Sequence, residues 1–221
     1  MKRVTISLGI LALGLLNVTH AATPLGLPPV PIPKNNPLTP EKVTLGDKLF
    51  HDTRFSSTGK VSCATCHDKT KAFTDSPLKV SEGINKLTGT RNAPTVVNAA
   101  YMHSMFWDGR EPDLEGQSAG PFINPVEMGL VNHKPILKIV RSDAQYKKLF
   151  KQAFNKKAKD IQMLHVKQAI ASFERTIISG NSPFDQYQYG NDKHSMSEAA
   201  VRGFKVFQEQ GRCVYCHIIS Q

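Results

Sequence analysis

Cys63-Ala64-Thr65-Cys66-His67 decides how this chain folds. It is a C-x-x-C-H pattern, and the same pattern returns as Cys213-Val214-Tyr215-Cys216-His217. The spacing has a chemical reason. The two thiols add across the two vinyl groups of one haem, and a short chain advance brings both sulfurs to the same porphyrin edge. The adjacent histidine then folds beneath the ring and places its imidazole on the iron. A zinc site would use both C-x-x-C pairs as ligands and leave both histidines unexplained. A thioredoxin-like site needs one C-x-x-C on a βαβ frame, which the sequence lacks. Four cysteines in an exported chain would ordinarily read as two disulfides, but each pair here is followed at once by histidine. The expectation is two covalently bound haem c groups. One is held by Cys63, Cys66 and His67, the other by Cys213, Cys216 and His217, each histidine being an iron ligand.

Around the first motif, residues 53–130 are dense in Gly, Pro, Asn, Ser and Thr, and neither the helical nor the strand period persists. Such a stretch makes sense as long irregular loops wrapped on a haem, which supplies an apolar core the sequence lacks. Upstream, Thr39 caps a helix, Pro40 suits its first position and Glu41 its positive end. Leu45, Leu49, Val43 and Phe50 give that helix a buried face. Residues 22–38 read as a Pro-rich arm with little packing of its own. Met1-Lys2-Arg3 and the apolar Val4 to Leu16 form a secretory signal, residues 1–21, cleaved after Ala21. Its apolar core is too short to cross a bilayer, and no later segment is long and apolar enough to span. The expected location is the periplasm.

Downstream, His133 to Val140 is a short helix, and Asp143 caps another through Phe154. Ile161 to Ser179 is the strongest, with Leu164, Ala169, Ile170, Phe173 and Ile177 near a 3.6 period and Gly180-Asn181 ending it. Ser195-Met196-Ser197-Glu198 resembles a capping box, opening a helix to about Gln210 with Val201, Phe204 and Phe207 or Val206 inward. No strand alternation is visible, so the class is mainly α. Residues 39–190 form an N-terminal haem domain and 191–221 the start of a second. His217 lies four residues from the end, so the chain reads as a C-terminally truncated copy of a longer protein.

The formal net charge is +10. No basic stripe is interleaved with aromatics, so nucleic acid is not expected as a partner. Lys147, Lys148, Lys151, Lys156, Lys157 and Lys159 form a cluster that reads as a solvated helix face; its sharper reading is a docking patch for an acidic redox partner.

Several blocks resemble the bacterial di-haem cytochrome c peroxidase and MauG family. They are Leu45-Gly46-Asp47-Lys48-Leu49-Phe50, Asp52-Thr53-Arg54-Phe55-Ser56-Ser57-Thr58-Gly59, Arg91-Asn92-Ala93-Pro94-Thr95 and Phe106-Trp107-Asp108-Gly109-Arg110. Gln117-Ser118-Ala119-Gly120-Pro121 running on to Asn124-Pro125-Val126-Glu127-Met128, Phe173-Glu174-Arg175-Thr176 and Ser182-Pro183-Phe184-Asp185 match too. The resemblance implies His67 as proximal ligand of the peroxide-reacting iron, Glu127 as acid-base group and Gln117 as its distal neighbour. It places Trp107 between the haems, gives Asn92 to a calcium ion at the domain interface, and admits a homodimer. A carboxylate over the iron suits peroxide, which must move a proton from one oxygen to the other before the O–O bond breaks. Glu127 would have its pKa raised by an apolar pocket with Phe122, Ile123 and Met128 nearby.

Many members carry a histidine before the Arg-Asn-Ser/Ala-Pro block that caps the reactive haem at rest. Here Ser81-Glu82-Gly83-Ile84-Asn85-Lys86 contains none, which resembles the MauG-like branch and implies an open iron at His67. His103 and Met105 are read as a surface histidine and a core methionine rather than a sixth ligand. The leading function is peroxide reduction with electrons from a small cytochrome c or cupredoxin. MauG-like oxidation of a partner protein is the second reading, and a non-enzymatic electron carrier the third.

Overall fold

A computed structural model describes residues 23–219; the signal-peptide reading lies outside the described residues. The chain is mainly helical. In order, its α-helices are α1 Pro40–His51, α2 Cys63–Cys66, α3 Leu114–Gln117, α4 Gly120–Ile123, α5 Lys134–Ser142, α6 Ala144–Phe154, α7 Met163–Glu174, α8 Pro183–Gln188 and α9 Glu198–Gln208. Among the described residues, β-pairing is confined to isolated bridges such as Asp68 with Thr74 and Glu82 with Thr88. Residues 53–130 run as loops, 3₁₀ turns and single-turn helices, as their composition predicts.

The helix ends follow their capping chemistry. Thr39 accepts from the Lys42 N–H at 3.3 Å and Pro40 opens α1. Asp143 accepts from the Gln145 and Tyr146 N–H groups at 2.8 and 3.0 Å and opens α6. Each such cap contributes about 1 kcal/mol. The core lies where α1 packs on α6 and α7, with Leu45, Leu49, Phe50, Tyr146, Phe150, Val166 and Ile170 all withdrawn from solvent. α1 and α7 approach so closely at Gly46 that an added Cβ would overlap the Ala169 carbonyl oxygen. Gly46→Ala is expected to force the two helices apart and cost about 1–3 kcal/mol, as overpacking generally does. A lowered denaturation midpoint with unchanged haem content checks it.

Three expectations need correction. The helix drawn from Ile161 to Ser179 runs only from Met163 to Glu174, because Gln162 caps it against His165 and the chain turns at Arg175. Its inward face also differs: Leu164 is 52 % exposed, while Glu174 is only 5 % exposed. The arm is not loosely held either. Asn36 is buried and donates to Glu115 Oε1 at 2.7 Å and to the Gln168 carbonyl at 3.0 Å. Farther out, the Tyr101 hydroxyl donates to the Pro28 carbonyl and the Asn181 N–H to that of Leu25. Finally, α9 buries no residue fully; Val201, Phe204 and Phe207 are half-buried and Val206 is exposed.

Candidate active site

The first C-x-x-C-H motif sits on α2. The Ser62 N–H is satisfied by the Thr65 hydroxyl at 3.0 Å, and one helical turn sets Cys63 and Cys66 on the same side. After it the chain doubles back through Ala72 and Phe73, both at left-handed φ (53° and 56°). Such conformations cost roughly 1–2 kcal/mol each outside glycine. The bridge between Asp68 and Thr74 holds them. The result is that the Phe73 carbonyl lies 3.2 Å from His67 Nδ1. That hydrogen bond assigns the ring proton to Nδ1 and leaves Nε2 free for a metal. Burial lowers the His67 pKa, keeping the imidazole neutral, the form a metal needs.

His67 opens onto a cleft of about 360 Å³, whose other walls include Cys66, Asn92, Phe106, Trp107, Arg110 and Glu127. A smaller chamber of about 50 Å³ adjoins it, lined by Cys63, Cys66, His67, Gln117, Glu127 and Glu174 among others. Residues scattered over 63–127 in the sequence thus converge. Glu127 accepts from Asn124 Nδ2 at 2.7 Å. Its carbonyl accepts from the Ile84 N–H at 2.9 Å, and neighbouring Gly83 lies so close that a Cβ there would overlap the Val126 carbonyl oxygen. Burial raises the Glu127 pKa, opposed by the Arg110 charge. Phe122 and Met128 are buried in the core next to it, but Ile123 is 43 % exposed and faces away. The residues that sequence reasoning left out are Asn124, Arg110 and Glu174.

Trp107 is 61 % exposed at the cleft wall, so it is no core anchor. Its indole N–H donates to the Asn92 carbonyl at 3.0 Å. Beside it, Asp108 is held at a pKa of about 2 by hydrogen bonds from Arg91 and Arg110, and Arg110 lies over the Phe106 ring. His103 is exposed and Met105 is in the core, as expected, and neither lines the cleft.

The donor set fits haem c. Cys63 lines the small chamber and Cys66 both chamber and cleft, their thiol pKa values raised by burial, Cys66 to about 11, so they are poor metal thiolates and are placed for thioether bonds. Among the described residues no cluster of three His, Cys, Asp or Glu side chains could hold a metal ion. The sequence profile described as di-haem cytochrome c peroxidase matches residues 40–193. The chain belongs to the di-haem cytochrome c peroxidase family.

Members of that family are similar along most of this chain. It is 36 % identical to a methylamine utilization protein MauG of Methylophilus methylotrophus over 94 % of its length, and 35 % identical to a cytochrome c551 peroxidase of Nitrosomonas europaea over 98 %. The chain spans 64 % and 63 % of those relatives. A crystal structure of a MauG-like protein associated with microbial copper homeostasis aligns with a TM-score of 0.74 at 33 % identity, over 83 % of this chain and 53 % of that one. A mainly α fold and covalent haem c come with family membership. The second motif stands apart from the cleft. Cys213 and Cys216 are exposed, and His217 borders an open apolar hollow of about 510 Å³ with Phe184, Phe204 and Phe207.

Glu174 carries a titration signature of its own. Burial pushes it up to about 8, with Arg175 opposing and Glu115 adding to the rise. The folded protein therefore holds a proton that the unfolded chain, near 4.5, releases. Stability from this group is full below about 4.5 and is lost as pH rises to about 8, at about 1.4 kcal/mol per pH unit between those limits. Denaturation midpoints of the holo-protein are expected to fall across that window, and to fall less in Glu174→Gln.

Proposed function

We propose that the whole protein reduces hydrogen peroxide in the periplasm, with electrons from a small cytochrome c or cupredoxin. Cys63 and Cys66 anchor one haem c and His67 ligates its iron; Cys213, Cys216 and His217 do the same for a second. On this reading residues 39–190 are the N-terminal haem domain and 191–221 the beginning of the next. The carrying observation is the pairing across one cleft of a neutral, tautomer-fixed His67 with a half-buried Glu127 of raised pKa.

The bound haem supplies the redox chemistry of O–O cleavage. The chain's own residues do the rest. Glu127 takes the proton of the near peroxide oxygen and returns it to the far one. Asn124 keeps one carboxylate oxygen engaged, so that the other faces the cleft. Gln117 donates a hydrogen bond to peroxide from the adjoining chamber. Trp107, exposed beside the cleft, is the electron path between haems, and Asn92 is a calcium ligand at the domain boundary.

Absorption spectra of oxidised holo-protein before and after peroxide test this. An open-iron, high-spin component that changes at once, followed by oxidation of a reduced donor, is the expected result. A purely low-spin spectrum indifferent to peroxide would point to a hidden sixth ligand, and so to a carrier or to a protein that must first be reduced. MauG-like oxidation of a partner protein is the second enzymatic reading, favoured by the exposure of Trp107 and the similarity to MauG proteins.

A further inference from the structure

The loop that follows the first haem motif sorts its side chains by charge. Lys69, Lys71 and Lys79 are exposed, and none makes an ion pair among the described residues. The acids of the same stretch are withdrawn. Asp75 is only 6 % exposed, and the Asp68 carboxylate is folded back onto the N–H and hydroxyl of Thr70, at 2.8 Å each. Between the lysines lie apolar side chains open to solvent: Ala72, Pro77 and Leu78, the last 47 % exposed. The Thr74 hydroxyl draws the two turns together, donating to the Lys71 carbonyl at 2.8 Å and accepting from the Ser76 N–H at 3.2 Å. An apolar centre rimmed by unpaired cations is the pattern of a protein-docking surface, and its sign suits an acidic partner.

This surface is also connected to the iron ligand. Ala72 is exposed, and the next carbonyl, that of Phe73, lies 3.2 Å from His67 Nδ1. A single hydrogen bond thus joins exposed backbone to the imidazole. Thr95 fixes the loop from the other side by donating to the Ala72 carbonyl at 2.6 Å. The left-handed conformations of Ala72 and Phe73 produce this arrangement, and backbone strain of that kind persists only where the surroundings enforce it, often at functional sites. The larger lysine cluster on α6 lacks such a connection. α6 packs on α1 and α1 in turn on α2, so a whole helix separates that cluster from the haem motif.

We propose that the loop of residues 68–79 is the docking surface for an acidic electron-donor protein, a small cytochrome c or cupredoxin, which passes its electron to the His67 haem through the Phe73 carbonyl. One electron leaves the donor's metal, which is oxidised, and reaches the haem, which is reduced; no bond is made or broken. Reducing peroxide to water takes a pair of electrons, so this entry complements the one supplied from a second haem by way of Trp107. The proposal rests on the peroxidase reading of the His67 cleft.

A pair of charge-reversed holo-proteins separates the loop from overall charge. One carries Lys69→Glu, Lys71→Glu and Lys79→Glu. The other carries Lys147→Glu, Lys148→Glu and Lys151→Glu on α6, the same change in net charge. The probes are reduced plastocyanin, an acidic cupredoxin, and a reduced basic cytochrome c. In stopped-flow mixing with peroxide-treated protein at low salt, the loop variant is expected to oxidise plastocyanin at least roughly 10-fold more slowly than wild type, the lower end of electrostatic steering. The α6 variant should stay within a few-fold of wild type, and added salt should slow the wild type towards the loop variant. The step with peroxide itself should not differ among them. Carbodiimide cross-linking of wild type to plastocyanin, a readout needing no turnover, should join Lys69, Lys71 or Lys79 to donor carboxylates. Equal slowing in both variants, or cross-links confined to α6, overturns the docking surface. A basic cytochrome c oxidised faster than plastocyanin by the wild type overturns the acidic partner. A wild type inert to peroxide removes the peroxidase reading, and the electron route with it, whatever the cross-links show.

Discussion

Glu127→Gln is expected to slow the reaction of holo-protein with peroxide by roughly 10²–10⁴-fold, the usual worth of a positioned acid-base group. Haem content and the resting spectrum should not change. The substitution is nearly isosteric, and the glutamine oxygen can still accept from Asn124 as Glu127 Oε1 does at 2.7 Å. What is lost is the ability to take up and give back a proton. The pH dependence sharpens the prediction. Glu127 must be ionised to accept the first proton, and burial places its pKa above the ordinary carboxylate value. The wild-type rate should therefore fall as pH falls through that raised value, and the limb should vanish in the variant. Stopped-flow traces over a pH series measure both. A variant within a few-fold of wild type at every pH would remove Glu127 from the chemistry.

Some of this site is legible in the sequence and some is not, for physical reasons. The haem motif is legible because thioether attachment imposes a fixed local spacing, which α2 reproduces in one turn. Capping is local too, so Thr39 and Asp143 mark their helix starts correctly. The convergence of Gln117 and Glu127 is different. They are carried by single-turn helices and a loop with no period to propagate, and Glu127 is set in place by contacts distant in sequence or local to its turn: Gly83 against the Val126 carbonyl, the Ile84 N–H on the Glu127 carbonyl, and Asn124 on its carboxylate. Residue-type rules misread α7 most instructively. Val166, Ala169, Ile170 and Phe173 define a stripe whose next position is Glu174, whereas Leu164 lies outside it. Phase alone would have put the carboxylate inside and the leucine outside. The arm was misjudged for a related reason: a proline-rich composition does not reveal that one asparagine in it, Asn36, is buried and finds two acceptors far along the chain.

That asparagine belongs to the network whose disruption should cost the most stability. Arg175→Leu is expected to destabilise the holo-protein by about 3–5 kcal/mol, the usual penalty for stripping one partner from a buried ion pair. Arg175 is 5 % exposed and grips Glu115 with two hydrogen bonds of 2.8 Å. Burial alone would raise the Glu115 pKa; the Arg175 and Asn36 contacts more than offset this and hold it below its ordinary value. Without Arg175 that carboxylate keeps only Asn36 and the charge of Lys42, whose ammonium is already committed to Asn36 and the Pro37 carbonyl. It must then protonate or open the packing of α3 on α7. Because Glu115 stands two residues before Gln117 on α3, the loss should also loosen the distal chamber. The variant's haem spectrum should accordingly become heterogeneous. Glu115→Leu combined with Arg175→Leu separates charge from shape. Removing both partners leaves no orphaned ion, so the double variant should recover much of the stability the single one loses. If the double variant is no more stable than Arg175→Leu alone, the network holds the arm, α3 and α7 together by geometry, and the unpaired charge is not what costs.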